Sequence, residues 1–262
     1  MQYWPVVVVL IGIVAYDFVS VNNVDVMFRP RVQVGGRSAL VIGGTGATGS
    51  KVVDELLSRK EWTKVVVIGR RQVEQKDDKL ECIVVDINDD KAVIDEEKLK
   101  DIDHFFDCIG TTRSSAGSAE AFHSIEVGIT ERVAKAAKNA GVKYASVISA
   151  KGANKNIGIA PTWFHPLYYV RVMGMKEEAV IDKAFFRTSI FRPGMLARGS
   201  DERPIERWFG SIMSSLDVGL LAKAMVNDAE AANVEEGAEP EKPMYFVGNS
   251  LITKLSEQEV EK

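Results

Sequence analysis

The sequence predicts an α/β fold built on a doubly wound parallel sheet, with a small C-terminal lobe and an N-terminal apolar segment. Three observations predict it. Short apolar runs alternate with helical patterns from Ser38 onward. A glycine-rich turn, Gly43-Gly44-Thr45-Gly46-Ala47-Thr48-Gly49, follows the first of those runs directly. The 262 residues, 46% hydrophobic and 27% charged, are enough for one large α/β core and exclude collagen-like, low-complexity and disordered chains.

Whole-chain counts exclude several functions. Thirty-three basic against 37 acidic residues give a net charge of −4, so no basic footprint for nucleic acid exists. Two cysteines, Cys82 and Cys108, and three histidines make neither a disulfide framework nor a zinc site. No metal is expected.

The first element is the apolar segment. Met1 to Tyr16 carries no charged side chain, and the apolar character resumes after Asp17 as far as Val21. A cleaved signal peptide requires a basic leading region, which Met1-Gln2-Tyr3-Trp4-Pro5 lacks. A buried strand accounts for the valines but not for the length. A membrane helix needs about 20 apolar residues, and Tyr3, Trp4 and Tyr16 stand where interfacial aromatics belong. Residues 1–25 are therefore read as an anchor. Basic residues flank it only on its carboxyl side, at Arg29, Arg31 and Arg37, so the body is expected to face the cytosol; a cytoplasmic protein is the alternative.

The body, residues 36–262, begins with a strand over Ser38–Ile42, the glycine turn, a helix over Ser50–Ser58 and a strand over Lys64–Ile68. Strand, glycine turn, helix and strand within about 30 residues is the context of a dinucleotide fingerprint. Gly43, Gly46 and Gly49 allow a tight turn, close approach of backbone to pyrophosphate, and tight helix packing. The helix N-terminus then offers N–H groups and positive dipole to the phosphates. After the second strand an NAD site usually places a carboxylate for the ribose 2′-hydroxyl. Here Gly69-Arg70-Arg71 stands there, and two guanidiniums suit the 2′-phosphate of NADP(H).

Further strands are expected at Leu80–Val85, leading to Asp86 and Ile87 beside the adenine, and at His104–Ile109, leading to Gly110 and Thr111. A single helix is expected over Ser118–Ala140, with Phe122, Ile125, Ile129, Val133 and Ala136 as its core face. Cys82 and Cys108 read as buried strand residues, and His123 as a surface residue. The acidic stretch Asp228 to Glu241 reads as a solvated loop.

Gly-Gly-Thr-Gly-Ala-Thr-Gly, Ile-Gly-Arg-Arg, Cys-Ile-Gly-Thr-Thr-Arg, Ser-Ala-Lys-Gly-Ala-Asn-Lys and Phe-Arg-Pro-Gly follow in that order. With them the chain resembles the atypical short-chain dehydrogenase/reductases, and within these the Tat-interacting-protein group of NADPH-binding oxidoreductases. The resemblance runs from about Ser38 to Val226. It implies an NAD(P)-binding Rossmann domain with substrate-side insertions after residue 150. It also implies that Gly43 to Gly49 bind pyrophosphate, Arg70 and Arg71 the 2′-phosphate, and that Gly110 and Thr111 line the cofactor. By the same resemblance Ser149 polarises the substrate, Tyr169 transfers the proton and contacts the cofactor, and Pro193, Leu196 and Arg203 belong to a loop over the nicotinamide.

One position departs from the family. Its pattern is Tyr-x-x-x-Lys on one helix, which sets both side chains on one face. Tyr169-Val170-Arg171-Val172-Met173 puts methionine in place of lysine. Lys176 lies on the same face but about 10 Å along the axis from Tyr169. A neighbouring cation lowers an acid's pKa by about 1–3 units. Without it a tyrosine near pKa ~10 offers almost no phenolate at neutral pH. Alcohol oxidation needs that phenolate, whereas carbonyl reduction needs the neutral phenol. Met173 thus weighs more against a dehydrogenase than against a reductase.

Two functional expectations follow. The first is a membrane-tethered NADPH-dependent reductase of a carbonyl on an apolar, lipid-derived molecule, to which the apolar loop 156–166 with His165 also points. The second is an NADPH-binding regulator of protein partners with little chemistry, favoured by Met173 and by the partner roles the resemblance implies.

Overall fold

A computed structural model of the chain describes residues 36–89, 91–158, 166–197, 215–232 and 239–258. The expected anchor at 1–25, residues 159–165 of the apolar loop with His165, and Arg203 lie outside the described residues. Among those described, no helix is long and apolar enough to cross a membrane.

Seven parallel strands form the main sheet: β1 (Arg37–Ile42), β2 (Trp62–Gly69), β3 (Leu80–Val84), β4 (His104–Asp107), β5 (Tyr144–Ile148), β6 (Arg187–Arg192) and, last in sequence, the strand Met244–Val247. Two short strands precede that last one, β7 (Leu196–Ala197) and β8 (Leu216–Asp217), so it is β9. The spatial order is β3-β2-β1-β4-β5-β6-β9. β7 and β8 pair apart from the main sheet.

The apolar runs read as strands because both faces are covered. Along β1 the pleat sends Ala39 and Val41 to one side, Leu40 and Ile42 to the other. The first side packs on α1 (Ala47–Ser58) through Val52, Val53 and Leu56. It also packs on two later helices, α6 (Val218–Glu230) and α7 (Asn249–Ser256), through Leu221, Met225, Ile252 and Leu255. The second side packs on α4 (Ile129–Asn139) and α5 (Pro166–Ile181) through Ile129, Val133, Ala137 and Val180.

Three expectations are corrected. The continuous helix over 118–140 is three pieces: α3 (Ala119–His123), a π-helical turn at Ser124–Gly128, and α4. A short helix, α2 (Arg113–Ala116), precedes them. Within the π turn Ile125 is only half-buried and Glu126 is buried. The acidic stretch is not solvated at its start. Asp228 and Glu230 close α6 and are buried, paired with Arg187 and with Arg59 and Trp62 respectively. Cys82 lies half-buried on the edge strand β3 rather than in the core, whereas Cys108 is buried.

The pole of the sheet away from the glycine turn is knitted around His104. Its imidazole stacks on Tyr144 at 4.4 Å and meets Trp62 edge-on at 5.0 Å. Nε2 donates to the Ala229 carbonyl at 3.0 Å, which Arg37 also bonds, while Nδ1 is buried without a hydrogen-bond partner. Burial, and then the Arg37 and Arg187 guanidiniums, push its pKa down to about 3. The folded protein therefore refuses a proton that the unfolded chain takes up below about pH 6.5. Stability is complete above that pH and falls as pH drops through it, by about 1.4 kcal/mol per unit. Urea unfolding at pH 7.5 and pH 5.0 is expected to show a loss of about 2 kcal/mol from this group. His104→Phe, which keeps the stack, is expected to remove that share of the loss. An equal pH dependence in both proteins contradicts the assignment.

Candidate functional site: a dinucleotide cleft

β1 pairs with β2 on one side and β4 on the other, so successive connections leave in opposite directions at its carboxyl end. Open α/β sheets bind ligands at such a switch point. A cleft of about 610 Å³ opens there, lined by Gly43, Gly44, Thr45 and Gly46 at its centre. Arg70, Arg71, Ile87 and Asn88 line one end, and Ile109, Gly110, Thr111, Ser115 and Ser124 the other.

The central turn is dictated by contact between backbones. Gly43 has φ +76°, and a Cβ there would lie 2.5 Å from the Cys108 carbonyl oxygen. A Cβ on Gly49 would lie 2.1 Å from the carbonyl oxygen of Gly43. The turn is thus pressed onto both β4 and the first turn of α1. Helix α1 starts at Ala47 with Gly46 as N-cap, no side-chain cap and no acidic residue in its first turn. Ala47, Thr48 and Gly49 form that first turn, with Thr48 and Gly49 buried behind the cleft. Its free N–H groups and dipole are left for an anion.

Arg70 and Arg71 follow β2, both exposed, and among the described residues they are the charged side chains that line the cleft. Asp86 is not among those lining residues. Its carboxylate accepts the Asn88 N–H at 3.1 Å, and Ile87 and Asn88 face the cleft in its place.

The far end of the cleft rests on a buried ionic cluster that the sequence reading did not assemble. Lys176, fully buried in α5, donates to the Ile109 carbonyl at 2.6 Å. The same ammonium lies 3.4 Å from Asp107 Oδ1 and 3.4 Å from Glu126 Oε2. Asp107 Oδ1 accepts the Ile109 N–H at 2.9 Å, and Oδ2 accepts the Thr130 hydroxyl at 2.6 Å. Glu126, carried by the π turn, accepts the Thr111 N–H at 2.6 Å. Burial works to discharge Lys176, but Asp107 and Glu126 together outweigh it and hold its pKa above the ordinary lysine value. Burial raises Glu126. Isolated lysine and glutamate residues in the sequence gave one available signal, the i, i+7 spacing of Tyr169 and Lys176.

Ser149 and Tyr169, expected to act on a substrate, and Pro193 and Leu196, expected over the nicotinamide, are not among the residues lining this cleft. Tyr169 is 38% exposed on α5, its ring 5.9 Å from that of Phe122, whereas the neighbouring Tyr168 is buried and donates to the Ala119 carbonyl. Met173 is buried in an apolar cluster with Ala119, Phe122, Val127 and Val172. Ser149 follows β5, and its hydroxyl donates to Glu177 Oε1 at 2.5 Å. Glu177 is in turn clamped by both ends of the Arg192 guanidinium, at 2.8 and 2.6 Å. Pro193 is buried and accepts the Lys151 N–H, and half-buried Leu196 pairs into β7–β8.

A parallel sheet in this order, with a glycine turn and an uncapped helix at the switch point, defines an NAD(P)-binding Rossmann protein. The sequence model of the NAD dependent epimerase/dehydratase family matches residues 39–157. "Protein FMP52-1, mitochondrial" of Scheffersomyces stipitis is 35% identical over 184 residues, covering 70% of this chain and 75% of that protein. "Protein HTATIP2" of Rattus norvegicus is 30% identical over 218 residues, covering 76% and 84%. The chain belongs to this FMP52 and HTATIP2 family of atypical short-chain dehydrogenase/reductases. Among solved structures, "MoeE5 in complex with UDP-glucose and NAD" shares the fold with TM-score 0.58 and 20% identity, over 80% of this chain and 75% of that one. A UDP-glucuronic acid 4-epimerase from Bacillus cereus in complex with NAD does so with TM-score 0.56 and 14% identity, over 80% and 77%.

Proposed function

We propose that the chain binds NADP(H) in the cleft and reduces a carbonyl on an apolar molecule at a membrane surface. The observation that carries the cofactor preference is the lining itself: two arginines and, among the described residues, no carboxylate at the end of the cleft that follows β2. The Gly43–Gly49 turn fits the group, since its closest backbone approaches leave no room for a side chain. Solved neighbours hold NAD; Arg70 and Arg71 favour the phosphorylated form here.

When bound, the cofactor supplies a hydride. The chain's own contribution is to fix the phosphates at the turn, to orient the adenosine end through Arg70 and Arg71, and to hold a proton on the Tyr169 phenol. With Met173 in the apolar layer below it, no lysine stands one turn from that phenol, which suits donation over abstraction. The proton that Tyr169 gives up is the one the reduced carbonyl oxygen receives. The uncharged first sixteen residues support a tether, and Arg29, Arg31 and Arg37 support a body facing the cytosol. Fungal relatives carry the name mitochondrial, and a body on the cytosolic face of that organelle agrees with both.

A second reading, an NADP(H)-occupied regulator of a protein partner, is favoured by Ser149. Its proton is committed to Glu177, so it offers lone pairs in place of a donor to a carbonyl. Oxidation of NADPH with a panel of aliphatic aldehydes and ketones separates the two. The reductase reading expects turnover that drops at least about 100-fold in Tyr169→Phe, as loss of a general acid commonly does. NADPH binding with no turnover on any member supports the regulator.

A further inference from the structure

The loop after β4 is gripped in an unusual way. The Ile109 N–H is held by Asp107, the Ile109 carbonyl by Lys176, and the Thr111 N–H by Glu126. All three side chains are buried, and Ile109, Gly110 and Thr111 line the cleft directly above them. Three ionisable groups therefore fix three backbone groups of one three-residue stretch. Thr130 fills the remaining oxygen of Asp107.

The arrangement has a position in the cleft. Arg70 and Arg71 follow β2 and so mark the adenosine end, on the β2–β3 side of the switch point. The loop after β4 lies across the switch, on the side of β5 and β6, where the second half of a dinucleotide must lie. The chemistry also demands an anchor there. A stretch containing a glycine costs conformational entropy to order. Ordering it beforehand leaves less to pay on binding. The π turn carries Glu126, buried, on the same helical run whose Ser124 faces the cleft. Met173 fills the apolar layer beside Phe122, and Lys176, three residues on, delivers its ammonium beneath the loop.

We propose that Lys176, with Glu126 and Asp107, is the positioning device of the nicotinamide side of the cleft, holding residues 109–111 in the shape that receives that half of the cofactor. Lys176 acts through the loop and touches no reacting atom. The proposal rests on the NADP(H) reading, and its test separates the two.

Dissociation constants are measured on the full chain for NADPH and for adenosine 2′,5′-bisphosphate, which carries the 2′-phosphate but no nicotinamide half. Backbone amide exchange is followed at Ile109, Thr111 and the β1 amides. Lys176→Met is expected to weaken NADPH at least tenfold while the bisphosphate stays within twofold of the native protein. Exchange at Ile109 and Thr111 is expected to quicken while the β1 amides stay protected. Lys176→Arg, which keeps the cation, is expected to recover part of the NADPH affinity. Equal weakening of both ligands, unchanged NADPH affinity, or exchange that rises throughout the sheet overturns the proposal. If the native protein binds neither ligand, the NADP(H) reading fails, and the exchange pattern alone judges the hold of Lys176 on the loop. Where Lys176→Met does not fold, Lys176→Met with Glu126→Gln relieves one of the two stranded carboxylates and carries the same measurements. If neither folds, the cluster is a determinant of folding and the positioning role is overturned.

Discussion

Gly49→Ala is expected to weaken cofactor binding severely and to destabilise the fold. The new Cβ falls 2.1 Å from the Gly43 carbonyl oxygen and 2.7 Å from its carbon. Both are backbone atoms, so no rotamer change relieves the clash. Gly43 cannot retreat either, because its own α-carbon region faces the Cys108 carbonyl at the end of β4. Either α1 slides off the turn or the turn opens. Overpacking of this kind costs about 1–3 kcal/mol, and more where backbone must move. The consequence for binding is larger, since the N–H groups of the turn and of the first turn of α1 must converge on one anion. We expect a lowered Tm together with a loss of NADPH affinity of at least about 100-fold, corresponding to about 2.7 kcal/mol. Gly46→Ala is the matched comparison. Its Cβ approaches the same oxygen no closer than 3.2 Å, so a milder effect on both measurements is expected. Equal effects at the two positions contradict the packing argument.

The second large effect is expected from removing Arg70 and Arg71 together. Each guanidinium can give charge-assisted hydrogen bonds to a 2′-phosphate, at about 1.5–3 kcal/mol apiece. Both arginines are exposed, so water and salt reduce that figure. Arg70→Ala with Arg71→Ala is expected to weaken NADPH by about 100-fold while leaving NADH within a factor of about three. The neighbours Ile87 and Asn88 remain to shape the adenine end. The thermal midpoint without ligand is expected to be unchanged, because neither arginine packs in the core. The difference between the two cofactors should also shrink as salt rises. A parallel loss of NADPH and NADH affinity would mean that these residues shape the cleft in general and do not read the phosphate.

Much of this fold was legible because parallel strands covered on both faces write continuous apolar runs. Ser38–Ile42 and Leu80–Val85 announce β1 and β3 to within a residue, and Lys64–Ile68 the middle of β2. The glycine turn was legible for the same reason in reverse: backbone contact forbids side chains, and the absence of side chains is visible in a sequence. Helical spacing hid the π turn, because Phe122, Ile129 and Val133 keep a plausible core face whether or not one residue is inserted between them. Glu126 falls among those positions, yet an acid there announces no buried partner, and it is buried against Lys176. Asp228 and Glu230 misled in the same way. Their partners Arg187, Arg59 and Trp62 are 41 to 171 residues distant in sequence, and no local pattern records such pairings.

The reacting end was the least legible. A resemblance placed Ser149 and Tyr169, but it could not show that the Ser149 proton is held by Glu177 or that Lys176 turns down to Ile109. Those are facts of side-chain direction, set by which helix turn meets which strand end. The cofactor end depends instead on the residues that directly follow β1 and β2, and chain order alone gives those.

The central claim is that the cleft reads a 2′-phosphate. Thermal unfolding of the full chain, titrated in parallel with NADPH and NADH at one ionic strength, tests it most directly. Ligand bound to the folded state adds RT ln(1 + [L]/Kd), about 2.7 kcal/mol at a hundredfold excess over Kd. The account predicts a Tm that climbs with NADPH at concentrations where NADH leaves it unmoved. Equal shifts from the two cofactors, or none from either, would contradict it.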